Sequence, residues 1–254
     1  MLTFLADATV MVQALSMDFS KNTPLQSITL YLFFAGTVAM GAGALYFFLL
    51  RNNVEPVYRS TMVVAGLVCA IACFHYFKMT HVYQESGGKD FPTALRYIDW
   101  LFTTPLLLIK FPLLLRMGDR GTKFFLQLVV LDVAMIATAF IAETSEVNSE
   151  RWWTFFLVAC VCEAMIVGVL FMSLGQAITE APAPLARSLE TMRLFILIGW
   201  AVYPIGFLMA RSGNGEFREI VYNISDVINK VGFGLVAYHG IQAMSHSQES
   251  QVRG

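Results

Sequence analysis

Arg96-Tyr97-Ile98-Asp99-Trp100-Leu101-Phe102-Thr103-Thr104-Pro105-Leu106-Leu107-Leu108-Ile109-Lys110-Phe111-Pro112 is the most informative stretch of this chain. It sits within a largely apolar segment at 93–115, and a helix needs roughly 20 such residues to cross a hydrocarbon core. Arg96, Asp99, Thr103 and Lys110 follow one another at separations of 3, 4 and 7. At about 3.6 residues per turn, those separations put a cation, a carboxylate, a hydroxyl and an amine in one stripe on one helix face. From Asp99 to Lys110 the stripe runs about 16 Å along the axis, at about 1.5 Å per residue. Each charge at mid-bilayer costs roughly 2.5–3.5 kcal/mol on insertion scales, so such groups turn into a bundle interior and mark ion or proton paths.

Six further apolar segments surround this one, at about 26–50, 57–83, 122–142, 152–176, 186–210 and 218–244. Turn-forming residues separate them: Arg51-Asn52-Asn53, Gly87-Gly88-Lys89-Asp90, Gly118-Asp119-Arg120-Gly121, Thr144 to Glu150, Ala181-Pro182-Ala183-Pro184 and Ser212-Gly213-Asn214-Gly215. Short connections make consecutive helices antiparallel neighbours. The expected fold is therefore all-α, a seven-transmembrane-helix bundle with short loops. No alternating segments of about 10 residues suggest a membrane barrel. We expect an external tail at 1–25, one seven-helix domain at 26–246 and a cytoplasmic tail at 247–254. The N-terminal stretch shows no basic start with a small-residue cleavage site, so no cleavable signal peptide is expected.

Composition agrees with lipid as the solvent. The 254 residues are 57% hydrophobic and 14% charged, whereas a soluble domain is usually about a quarter charged. A net charge of −1 gives no electrostatic reason to bind nucleic acid. Cys69, Cys73, Cys160 and Cys162 lie in apolar runs and do not read as a secreted disulfide framework. No metal site is expected. Loop cations weakly set the orientation, seven on one side against five on the other. They favour an external N-terminus and a cytoplasmic C-terminus in a multi-pass protein of the cell membrane.

Other ionisable residues fall inside the spans: His75, Asp132, Glu163, Asp226 and Lys230. Asp226 and Lys230 are four apart and share a helix face. Structural ion pairing would explain Arg96 and Asp99 alone, but not a second lysine deep in the bundle. Lys230 has two readings. It is a lone amine that sheds its proton on desolvation, or it carries a carbonyl compound as a Schiff base. The protonated Schiff base is a cation, and Asp99 and Asp226 can supply its counter-charge from two helices. Trp100, Trp200, Tyr203 and Pro204 lie near mid-span, where aromatic rings pack well on a flat conjugated ligand. They are equally compatible with ordinary bundle core. Asp132 is read as a possible hydrogen-bond partner of a neighbouring helix near the ligand ring, and Glu163 receives no role. Lys78 and His81 sit near the external end of the second span, His239 and His246 near the cytoplasmic end of the seventh.

The run from Arg96 to Leu107 resembles the third helix of proteorhodopsin-like microbial rhodopsins. Gly199-Trp200-Ala201-Val202-Tyr203-Pro204-Ile205-Gly206 resembles their sixth helix. Tyr222-Asn223-Ile224-Ser225-Asp226-Val227-Ile228-Asn229-Lys230 resembles their seventh, and Phe74-His75-Tyr76 their second. The resemblance covers about 26–244. It implies a light-driven outward proton pump with all-trans retinal in the core, bound to Lys230 as a protonated Schiff base. Asp99 would be counter-ion and proton acceptor, Asp226 the second carboxylate, and Arg96 a stabiliser on the release side. His75 would hydrogen-bond Asp99 and tune it. The expected partners are protons, retinal and the lipid bilayer, with a homo-oligomer, a pentamer or hexamer, in keeping with the family.

One departure stands out. The usual pattern has a carboxylic acid at the internal proton-donor position, where this chain has Lys110. Asp99, Thr103 and Lys110 resemble the small subgroup with an Asp-Thr-Lys triplet. An amine in a dry apolar site rests neutral, because burial disfavours the ammonium form. Water admitted after isomerisation would let it take a proton and pass it on. The competing reading is a lysine that snorkels to the interface as an anchor. Leu107 stands where the family separates green-absorbing members (Leu or Met) from blue-absorbing ones (Gln), so green absorption is expected. Photosensors share this chromophore but need a transducer, and none is fused here. Asp99 argues against the family's chloride and sodium pumps. A receptor for a diffusible ligand would leave Lys230 an incidental charge.

Overall fold

The computed structural model describes residues 22–253, and every regular element among them is helical. Residues 1–21 of the expected external tail lie outside the described residues. The first helix, Pro24–Leu50, starts two residues before its expected position. The Thr23 hydroxyl accepts from Gln26 N–H at 3.2 Å and the Gln26 side chain accepts from Thr23 N–H at 2.9 Å. That reciprocal cap satisfies two orphan donors, and Pro24 occupies a position where its missing N–H costs nothing.

The second helix runs Arg59–Glu85 after a 3-10 turn at Pro56–Tyr58. The third runs Thr93–Leu108 and resumes over Lys110–Leu114. Pro112 explains the interruption at Ile109. Its ring has no N–H and crowds the carbonyl four residues back, which belongs to Leu108. The fourth helix, Gly118–Glu143, begins inside the stretch read as a break. The turn falls earlier, where Arg116 and Gly118 take φ of 52° and 54°. The fifth helix, Glu150–Glu180, opens on a Ser149 cap of Trp152 N–H. The sixth comprises Ala183–Leu194, a π-helical turn at Phe195–Gly199 and Trp200–Ala210. The seventh comprises Gly215–Val227, a second π-helical turn at Ile228–Gly232 and Phe233–Arg253. It continues past the expected end at 244 and through most of the expected C-terminal tail.

Each helix packs against the next, and the start of the seventh packs against the first, which closes the ring. Six of the helices are long and apolar enough to cross a membrane. The seventh is more polar and carries Arg218, Glu219, Asp226 and Lys230. All four are buried in the bundle, so they meet protein rather than lipid. Leu49 and Met172 are 72% and 86% exposed, as befits surfaces that face acyl chains. Close approach is local and needs glycine. A Cβ on Gly36 would collide with the Tyr76 ring, and one on Gly199 with Asn229 Oδ1.

Candidate functional site: a buried amine between two carboxylates

The third and seventh helices meet at the bundle centre. Lys230 Nζ lies 2.6 Å from Asp99 Oδ2 and 3.0 Å from Asp226 Oδ2. All three residues are buried. Lys230 falls within the second π-helical turn, a feature common at functional sites because the extra residue re-aims side chains.

The two carboxylates are unequally served. Asp226 Oδ1 accepts from the Tyr203 hydroxyl at 2.6 Å and from Trp100 Nε1 at 3.2 Å. Its Oδ2 accepts from the Tyr76 hydroxyl at 2.9 Å, and Arg96 Nη1 stands 3.5 Å away. Asp99 has Lys230 on Oδ2, while its Oδ1 accepts no hydrogen bond among the described residues.

His75 is beside Asp99, but the expected hydrogen bond is not formed. His75 Nδ1 is 3.8 Å from Asp99 Oδ1, beyond hydrogen-bonding range. That nitrogen is instead 2.9 Å from the Ile71 carbonyl of its own helix. Thr103 joins the stripe, yet its hydroxyl donates to the Asp99 backbone carbonyl at 2.8 Å rather than to the carboxylate.

Arg96 continues the chain of charge away from the amine. Its Nη2 donates to Glu219 Oε2 at 2.6 Å and to Asn223 Oδ1 at 2.7 Å. Glu219 also pairs with Arg218 at 2.9 Å, and Arg218 pairs in turn with Glu143. A wide cavity opens beside Arg218 and Glu143, lined also by Lys89, Asp90 and Arg211. Sequence reasoning missed Tyr76, Glu143, Glu219 and Asn223 as members of this network. A signal existed for two of them. Glu219 and Asn223 precede Asp226 by seven and three residues, the spacing of one helix face.

In the opposite direction Lys110 is fully buried, which contradicts the snorkelling alternative. Its amine has no hydrogen-bond partner among the described residues and lies 4.9 Å from the centroid of the Phe233 ring. Leu107, Leu108 and Phe111 are buried around it, whereas Ile109 is half-buried. Asp132 is buried and accepts from the Thr104 hydroxyl at 2.8 Å, which joins the fourth helix to the third as that residue's reading anticipated. Lys78 is exposed and His81 half-buried.

A largely apolar cavity runs from Lys230 across the bundle. Trp100, Leu107, Trp200, Tyr203 and Pro204 line it, as does Asp226. The Asn229 carboxamide donates to the Gly199 carbonyl at 3.0 Å and ties the two π-helical turns together. Glu163, to which the sequence reading gave no role, also lines the cavity.

Residues 27–244 match the family described as bacteriorhodopsin-like protein. A green-light absorbing proteorhodopsin from Gamma-proteobacterium EBAC31A08 is 32% identical over 213 residues, covering 82% of this chain and 84% of that protein. Bacteriorhodopsin of Halobacterium salinarum is 33% identical, covering 79% of each chain. The crystal structure of Exiguobacterium sibiricum rhodopsin superposes with a TM-score of 0.83 at 42% identity, covering 89% of this chain and all of the other. Xanthorhodopsin, described as a light-driven ion pump with dual chromophore, gives a TM-score of 0.82 at 29% identity, covering 90% of this chain and 98% of the other.

Proposed function

This chain belongs to the bacteriorhodopsin-like family, and from that premise we propose that it is a light-driven outward proton pump with all-trans retinal on Lys230. The observation that carries the reading is the Lys230 amine, buried at the end of the cavity and flanked by Asp99 and Asp226. These residues fit the group: the amine can form an imine, two carboxylates can balance its positive charge, and the aromatic walls suit a flat polyene. Bound there, retinal supplies light absorption and an isomerisation that turns the Lys230 nitrogen.

Asp99 is the acceptor of the proton held at that nitrogen. Asp226 keeps its negative charge because Tyr203, Trp100 and Tyr76 donate to it and Arg96 stands by. Hydrogen bonds to an ionised carboxylate favour that form. Asp99 has one donor and a free oxygen facing His75, so taking the proton sacrifices less there. Arg96, Glu219, Arg218 and Glu143 form a continuous ionic path from the carboxylates to the outer cavity. Lys110 returns a proton to the Lys230 nitrogen from the cytoplasmic side, across Leu107, Leu108 and Phe111. The loop cations support an external N-terminus, and with it outward transport.

Illumination of cells carrying the retinal-loaded protein, in unbuffered salt, tests this. The medium should acidify in light, and a protonophore should abolish the change. No light-dependent change, or alkalinisation, would overturn the reading.

A further inference from the structure

The retinal cavity ends on a carboxyl group for which unmodified retinal has no use. The fifth helix packs between the fourth and the sixth, across the bundle from the seventh, which carries Lys230. Phe156, Ala159, Cys160 and Glu163 of the fifth helix line the cavity at that far end. Their spacing is that of one helix face, so Glu163 belongs to the wall of the site. A ligand joined to Lys230 extends its other end, the ring, toward this wall.

Most of the remaining polar lining is satisfied from within the protein. The Tyr97 hydroxyl donates to the Ala139 carbonyl, Thr104 to Asp132, Tyr203 to Asp226 and Tyr222 to the Tyr203 carbonyl. Asp226 and Lys230 are paired with each other. Glu163 has no hydrogen bond or ion pair to any described residue, and it is half-buried at mid-span. A carboxyl group in that setting costs free energy unless a partner meets it. Whether protonated or ionised, it presents an acceptor oxygen. The ring of unmodified retinal is hydrocarbon and offers no donor. A ring hydroxyl does, and the small side chains of Ala139, Ala159 and Cys160 leave space for one beside Glu163.

We propose that Glu163 is a specificity residue of the chromophore site, and that the site favours a retinal carrying a hydroxyl on its ring, which donates to the Glu163 carboxyl. The inference rests on attachment at Lys230. It differs from a purely electronic role for Glu163, which would alter colour without altering the choice of ligand.

Competition decides it. Protein expressed without retinal is offered equal amounts of all-trans retinal and all-trans 3-hydroxyretinal, and the chromophore is then extracted and quantified. One buried hydrogen bond to a carboxyl corresponds to about a tenfold preference, so the hydroxylated aldehyde should predominate by roughly that ratio. Glu163→Leu should bring the ratio to about one, while Glu163→Gln, which retains an acceptor oxygen, should keep most of it. An equal yield of the two pigments in the unmodified protein overturns the inference and leaves retinal at Lys230 intact. The same follows if Glu163→Leu keeps the full preference, or changes only the colour. Failure of both aldehydes to form any pigment would instead remove the Lys230 attachment on which the inference stands.

Discussion

Asp99 from the third helix and Asp226 from Lys230's own helix, one turn away, grip the same Lys230 amine at 2.6 and 3.0 Å. Asp226 is further held by Tyr203, Trp100 and Tyr76, whereas one oxygen of Asp99 is free of hydrogen bonds among the described residues. Two carboxylates of the same chemistry are thereby given different tasks by their surroundings. The fixed charge belongs with the many donors, and the exchangeable proton with the few.

Lys230→Ala should eliminate the visible absorption band, because the buried amine at the carboxylate pair is lost. Helical content by circular dichroism should persist, since the helices close their ring through many other contacts. A red-shifted, hydroxylamine-sensitive pigment in this variant would show that attachment lies elsewhere.

Asp99→Asn should shift the band permanently to the red and abolish pumping. A carboxylate beside the Lys230 cation stabilises the ground state more than the excited state, whose positive charge has moved along the polyene. Removing it narrows the gap. The unmodified protein should make the same red shift in acid, as Asp99 takes up a proton and loses its charge. Spectra across pH, with light-driven acidification as the second readout, check both statements.

His75→Ala should move that acid colour change to higher pH. When charged, His75 favours ionised Asp99 by opposite charge, and at 3.8 Å it is near enough to act without a direct hydrogen bond. Loss of the imidazole makes the carboxylate easier to protonate. A colour titration that does not move would mean that the contact with the Ile71 carbonyl keeps His75 out of the site's electrostatics.

Leu107→Gln should move the band to the blue. Leu107 is buried and lines the cavity, so an amide in its place puts a dipole against the polyene where a hydrocarbon now sits. A red shift, or no shift, would break the assignment of Leu107 as the green-absorbing residue.

Lys110→Ala should slow the return of the proton to Lys230 by an order of magnitude or more, leaving ground-state colour and retinal binding nearly intact. The amine is buried above Phe233, with Leu107, Leu108 and Phe111 around it. Without it, protons must cross the apolar layer directly from solution, and the slowed step should depend more steeply on bulk pH. Flash photolysis between about pH 7 and 9 measures it. Unchanged kinetics would assign the donor role to another group.

Much of this protein was legible in one dimension. Apolar length marks the spans, because lipid offers no partner for backbone polar groups and a helix must satisfy its own. Spacing along the third helix puts Arg96, Asp99, Thr103 and Lys110 on one face, because the helical period is a covalent and hydrogen-bonding constant. What the chain could not announce is which partners meet across helices. Glu143 reads as the polar end of a span until the bundle brings Arg218 to it. Glu163 has no role assigned to it in the sequence, and the structure puts it in the cavity wall. His75 and Thr103 sit where the pattern expects them, yet their polar atoms turn to backbone carbonyls, at 2.9 and 2.8 Å. Periodicity determines the direction in which a side chain leaves its own helix. The group it meets depends on the rotation, tilt and π-helical offset of another helix, and those are set by packing of the whole ring.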